Sequence, residues 1–106
     1  MKHQQILVVD DDPQACEYLA LLLRREDYGV RTASNGLEPV LAIEAATPDL
    51  VVSDLRMPVL DGFELLLHAK ARWPDLPVIV LSVVEEIEAI VDAVQQGAAN
   101  YVLKPA

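Results

Sequence analysis

The chain is short of cysteine, of positive charge and of long apolar runs, and each shortage removes a class of function. Its 106 residues carry one cysteine, Cys16, so neither an internal disulfide nor a cysteine-built zinc site can form. A lone thiol also suits a reducing compartment. Eight lysines and arginines stand against 17 aspartates and glutamates, a formal net charge of −9. That balance argues against the surface gripping nucleic acid or anionic lipid. No apolar run approaches the roughly 20 residues of a membrane span. The start, Met1-Lys2-His3-Gln4-Gln5 followed by Ile6–Val9, lacks the long apolar region and cleavage site of a signal peptide. No G-x-G-x-x-G follows the first apolar run and there is no Walker loop, which weakens a nucleotide-binding reading. Repeats, linkers and low-complexity stretches are also missing. The length fits one domain, and 53% hydrophobic residues are enough for a core. A soluble, cytoplasmic domain is expected.

What is present alternates between two patterns. Short runs rich in β-branched residues fall at Ile6–Val9, Val30–Ala33, Leu50–Val52, Val78–Leu81 and Tyr101–Leu103, as strands buried on both faces of a parallel sheet require. Helical spacing links Ala15, Tyr18, Leu19 and Leu22. It links Val40, Leu41 and Ile43, then Phe63, Leu66, Leu67 and Lys70, and last Ile87, Ile90, Val91 and Val94. Asp12-Pro13 reads as the N-cap and first position of helix one. Gly29 and Gly97 stand where helices one and four are expected to stop. Pro48, Pro74 and Pro77 sit in the approaches to strands three and four, and Pro39 is tolerable in a first helical turn. The order β-α-β-α-β-α-β-α-β predicts an α/β fold, a doubly wound five-stranded parallel sheet with right-handed crossovers.

In open α/β sheets, sites form beyond the carboxyl ends of the strands. Strand one ends in Asp10-Asp11-Asp12, strand three in Ser53-Asp54, strand four in Ser82 and strand five in Lys104-Pro105. Strand two ends in Ser34-Asn35-Gly36, a plain turn. Carboxylates, a hydroxyl and an ammonium thus converge on one edge from distant positions. Close carboxylates repel. A hard divalent cation relieves the repulsion, and Mg²⁺ commonly takes one or two protein carboxylates while keeping waters and a phosphate oxygen. A carboxylate can also act as a nucleophile and form an aspartyl-phosphate, whose charge a lysine and a hydroxyl would stabilise. The set reads as a phosphoryl-transfer site whose acceptor belongs to the protein.

Val8-Val9-Asp10-Asp11, Asp54-Leu55-Arg56-Met57-Pro58, Asp61-Gly62, Ser82 and Gly97-Ala98…Tyr101-Val102-Leu103-Lys104-Pro105 stand in an order and spacing that resembles the receiver domain of two-component response regulators. The resemblance runs from Ile6 to Pro105. It implies the flavodoxin-like strand order 2-1-3-4-5. It implies that Asp54 is the phosphoacceptor and that Mg²⁺ is the cofactor. The implied metal ligands are Asp11, Asp54, the backbone carbonyl of Arg56, and Asp10 mostly through a water. Lys104 and Ser82 would bind the phosphoryl group, and Ser82 and Tyr101 would form the switch. The Lys104–Pro105 peptide would be cis, a form X-Pro bonds adopt at small cost. The implied donor is the phosphohistidine of a sensor histidine kinase, or a phosphotransfer protein. The implied recipient is an output domain or effector, such as a transcription regulator. A homodimer is a further implied partner, and direct nucleic-acid or membrane contact is not expected. The role is regulatory; the domain assists its own phosphorylation and dephosphorylation.

Plainer readings cover other residues. Asp12 caps helix one, and Asp61 shapes the loop before helix three. Cys16 is an inert helix residue near the core. His3 and His68 have no partner at metal-ligand spacing. Trp73 packs at a helix end, and Glu85, Glu86 and Glu88 form a solvated first turn. Val83 stands where the family usually has a small residue. Residues 1–106 are expected to form one receiver domain that stops after strand five, with the final helix missing, as an excised fragment would. Its uncovered apolar sheet then favours self-association. The alternative is a phosphorylation-independent binding module on the same fold. Its sign would be loss of the acidic pair, Asp54 or Lys104, and all are present. A phosphatase with an aspartyl nucleophile would need substrate-binding elements that a chain of 106 residues does not hold.

Overall fold

Continuous apolar runs put side chains on both faces of a strand, and both faces then need cover. The computed structural model describes residues 4–33, 37–54, 62–82 and 87–103. Within them run β1 (Gln5–Val9), α1 (Pro13–Arg25), β2 (Gly29–Ala33), α2 (Leu37–Ala45), β3 (Leu50–Asp54), α3 (Gly62–Arg72), β4 (Val78–Ser82), α4 (Ile87–Gln95) and β5 (Asn100–Leu103). All strand pairs are parallel, in the order β2-β1-β3-β4-β5, as expected. Among the described residues, no helix is long and apolar enough to cross a membrane.

Alternate strand residues feed two cores. Leu7, Val9, Val51, Val78 and Val80 pack with Ile43 of α2, Leu65, Leu66 and Ala69 of α3, and Ile90 and Ala93 of α4. Ile6, Val8 and Val52 face the other way, onto Cys16, Leu19 and Leu23 of α1. On that second face Ile79 and Leu81 of β4 are only half-buried. The edge strand β5 leaves Tyr101, Val102 and Leu103 exposed by 43%, 49% and 47%.

The helices correct the expected stripes. In α1 the buried residues are Cys16 and Ala20, flanked by Leu19 and Leu23, whereas Tyr18 and Leu22 are 66% and 37% exposed. The run Tyr18-Leu19-Ala20-Leu21-Leu22-Leu23 is apolar all round, so its period fits more than one phase. The small side chains of Cys16 and Ala20 let the backbone approach the sheet, and that settles the rotation. Likewise, Leu67 of α3 and Val91 and Val94 of α4 are exposed, while Leu65, Ala69 and Ala93 fill the core. Lys70 does not pack as an apolar member of its stripe. Its ammonium donates to the carbonyls of Leu76 (2.7 Å) and Pro74 (3.3 Å) beyond the end of α3.

The caps agree with expectation at three ends and differ at one. The Asp12 carboxylate accepts from the Gln14 N–H (3.0 Å), with Pro13 opening α1. Pro39 lies buried in the first turn of α2. Gly97 (φ 110°) closes α4: its N–H reaches the Val94 carbonyl and the Ala98 N–H reaches that of Ala93, the paired bonds of a left-handed C-cap. At α1 the same pair runs from Asp27 to Arg24 and from Tyr28 to Leu23. The left-handed residue there is Asp27 (φ 71°), and Gly29 instead opens β2. At Gly29 a Cβ would collide with the Gln5 side chain. Asp27→Gly relieves the left-handed strain but loosens the unfolded chain. A net gain of about 0.5 kcal/mol is expected, seen as a Tm raised by roughly 2–4 °C in a thermal melt.

Candidate functional site

Parallel register brings the acids together. β1 and β3 pair through Val9 and Ser53, and the next residue on each strand is Asp10 and Asp54. Side chains alternate along a strand and neighbouring strands lie about 4.8 Å apart. Asp10 and Asp54 therefore leave the sheet on one face, side by side. Both are buried, at 3% and 8% exposure. The backbone then turns outward, and Asp11 is exposed. Carboxylate oxygens of Asp10, Asp11 and Asp54 lie within 4.8 Å of one another. The turn is braced from inside, because Asp10 Oδ1 accepts the Asp12 N–H at 3.0 Å.

This arrangement suits a cation. The donors are all hard carboxylate oxygens, the kind that Mg²⁺ prefers over imidazole or thiolate. Two of the three acids are held away from bulk water, where their mutual repulsion is least screened. A divalent ion would neutralise it.

Ser82 ends β4, one residue past Leu81, the partner of Asp54, and is fully buried. Tyr101 of β5 pairs with Val80. Val80 and Ser82 share a face, so Tyr101 and Ser82 lie on the same side of adjacent strands, one step apart. At 43% exposure, the Tyr101 ring has open space beside it. Arg56, Lys104 and Pro105, with the expected cis bond, lie outside the described residues, as do Asp61, Val83, Glu85 and Glu86. Asp10, Asp11 and Asp54 are thus brought together in space. Ser82 ends β4 at the same edge but on the face opposite Asp54, and Tyr101 lies on the Ser82 face two residues below that level, beside Val80.

Two residues of this edge had no role in the sequence reading. The Ser53 hydroxyl, fully buried, donates to the Asp54 carbonyl at 3.0 Å. Cys16, 4% exposed, sits behind the acidic turn, with Sγ 3.3 Å from the Asp10 carbonyl oxygen and 3.8 Å from that of Ala33. A short hydroxyl next to an aspartate at a strand end signals the first. Nothing in the sequence signals the second. Burial, followed by the Asp10 charge, pushes the Cys16 thiol up from 9.0 to about 11. Since the thiolate is the reactive form, a shift of this size lowers its population about 100-fold. Alkylation of Cys16 at pH 8 is expected to be at least about 100-fold slower in the native protein than in denaturant, followed by intact mass.

Known proteins place the chain. The response regulator receiver domain model matches residues 6–106. The transcriptional regulatory protein ZraR of Klebsiella oxytoca is 39% identical over 100 residues, covering 94% of this chain and 23% of that protein. The DNA-binding transcriptional regulator NtrC of Escherichia coli K12 is 40% identical over 105 residues, covering 99% of this chain and 22% of that protein. The chain thus spans less than a quarter of the length of these curated relatives. Among solved structures, the receiver domain of NtrX from Brucella abortus superposes with a TM-score of 0.91 at 36% identity, over 95% of this chain and 86% of that one. The chemotaxis response regulator CheY4 of Vibrio cholerae gives 0.90 at 26% identity, over 99% and 89%. The sheet order, the acidic edge and these likenesses agree, and the chain belongs to the response regulator receiver domain family.

Proposed function

We propose that this domain is the phosphoacceptor switch of a two-component system, and that Asp54 takes a phosphoryl group from the phosphohistidine of a sensor kinase or phosphotransfer protein. The observation that carries the reading is the buried Asp54 carboxylate set beside Asp10 and Asp11, with oxygens within 4.8 Å. An Asp54 oxygen attacks phosphorus and the bond to the histidine nitrogen breaks; that nitrogen keeps the bonding electrons, and the imidazole leaves neutral because its other nitrogen already carries a proton. Asp10, Asp11, Asp54 and the Arg56 carbonyl would hold Mg²⁺, which when bound offsets the negative charge of carboxylates and phosphoryl oxygens.

The chain's own residues do the rest. The Lys104 ammonium pairs with a phosphoryl oxygen, and the Ser82 hydroxyl donates to another. When Ser82 moves toward the phosphoryl group, space opens on its face of the sheet and the Tyr101 ring turns in. Shared sidedness and the exposure of Tyr101 support this relay. The product is a shift between two conformations, passed to an output domain or effector, a transcription regulator by likeness to ZraR and NtrC. Half-buried Ile79 and Leu81 with exposed Val102 mark an apolar surface on the α1 face of the sheet that a second copy of the domain would cover.

The test is phosphoryl labelling. Incubation with acetyl phosphate and Mg²⁺ is expected to add one phosphoryl group by intact mass, and EDTA to prevent it. Without an adduct from acetyl phosphate or a phosphorylated kinase, the reading falls and the phosphorylation-independent binding module stands in its place.

A further inference from the structure

We propose that Cys16 is a positioning residue for the Asp10–Asp11 pair, and that its hydrogen bond to the Asp10 carbonyl sets the affinity of the acidic cluster for a divalent cation. The inference rests on the reading of that cluster as a cation site. The Asp10 carbonyl belongs to the peptide that joins Asp10 to Asp11. Rotation of that peptide plane swings the backbone of Asp11 and, with it, its exposed carboxylate. The Asp10 carboxylate is fixed from its own side, through the Asp12 N–H, and the Asp10 N–H is held by the Ala33 carbonyl at 3.1 Å. The carbonyl is where the thiol acts.

Cys16 is placed for this by two bonds. Its backbone N–H donates to the Asp12 carbonyl at 3.1 Å, and its Sγ lies 3.3 Å from the Asp10 carbonyl. One residue of α1 therefore grips both ends of the Asp10–Asp12 turn. Ile6, Val8 and Val52 share its cluster, so the side chain is held against the end of β1 and is nearly shielded from water, at 4% exposure. The weaker approach to the Ala33 carbonyl, at 3.8 Å, places the sulfur between the carbonyl just past β1 and the last carbonyl of β2. A side chain of this size without a donor would fill the space and leave the peptide plane unheld. Groups that orient metal ligands from behind change metal affinity when they are lost, although they never touch the ion.

The experiment is a titration of the whole chain with Mn²⁺, reading the EPR signal of the free ion. Cys16→Ala is expected to weaken binding roughly 10-fold. Cys16→Ser, which restores a donor at the same place, is expected to stay within about twofold of the parent. Leu23→Ala, in the same α1–sheet cluster but far along the helix, serves as the control for packing loss and is expected to bind like the parent. Parent-like affinity in Cys16→Ala overturns the inference alone. So does equal weakening in Cys16→Ala and Cys16→Ser, or in Leu23→Ala. A parent that binds no Mn²⁺ overturns the cation-site reading as well.

Discussion

Asp54→Asn is expected to lose phosphoryl labelling completely and, in EDTA, to unfold at a higher urea concentration than the parent. The first effect is chemical. A carboxamide oxygen carries no full charge, so it cannot form the acyl phosphate that the carboxylate forms. The second is electrostatic. Two carboxylates about 4 Å apart repel by roughly 4 kcal/mol at the effective dielectric of a protein site. Part of that is relieved by counterions and by neighbouring donors, leaving an expected gain of about 1–3 kcal/mol. The substitution preserves shape, so packing contributes little. Mg²⁺ then reverses the comparison. An ion that binds only the folded state adds about 2.7 kcal/mol at 100 times its Kd, and the parent, with three acids in the cluster, receives more of this than the variant. Equal stability in EDTA would mean that the acids of this edge do not oppose one another.

The fold was legible because the strands carry apolar side chains on both faces of the sheet, even at β4, where Ile79 and Leu81 are only half-buried. A strand such as Ile6–Val9 or Val78–Leu81 is then apolar at every position and stands out against the helices. The observed strands extend those runs by a residue or so, to Gln5, Asp54 and Ser82. Those added residues are the polar ones, since strand ends are where the chain leaves the core. The acidic site was legible for the same reason. Asp10 and Asp54 follow buried runs on neighbouring strands, and parallel pairing with matched register does the rest. What escaped was rotation and backbone sign. Several phases of α1 present an apolar face, and only the fit of Cys16 and Ala20 against the sheet chooses among them. A left-handed residue usually reads as glycine, so Asp27 was passed over for Gly29. The Cys16–Asp10 contact joins a side chain to a carbonyl six residues back, and a thiol carries no sequence signal of a main-chain partner.

Rotation also decides the largest stability effect, in three consecutive leucines of α3. Leu65 and Leu66 are fully buried, while Leu67 is 42% exposed. Successive residues on a helix point about 100° apart, so Leu65 and Leu66 can share the core and Leu67 cannot follow them. Leu66→Ala removes a side chain from the cluster that includes Leu7, Val51 and Ile90. A relaxed site would lose the transfer free energy alone, but the strands below and the neighbouring helices hold the cavity open, and about 3 kcal/mol is expected. A domain of this length has roughly 5–15 kcal/mol in all, so the variant should melt roughly 12–24 °C lower. Leu67→Ala leaves no cavity, and the helix preference of alanine offsets part of the lost contact. It should cost below about 1 kcal/mol. The pair is informative because the two changes are chemically identical and adjacent. If both variants unfold at the same urea concentration, α3 is rotated relative to the sheet. If only Leu66→Ala is destabilised, the face of α3 that holds β3 and β4 in place, and with them Asp54 and Ser82, is the one described.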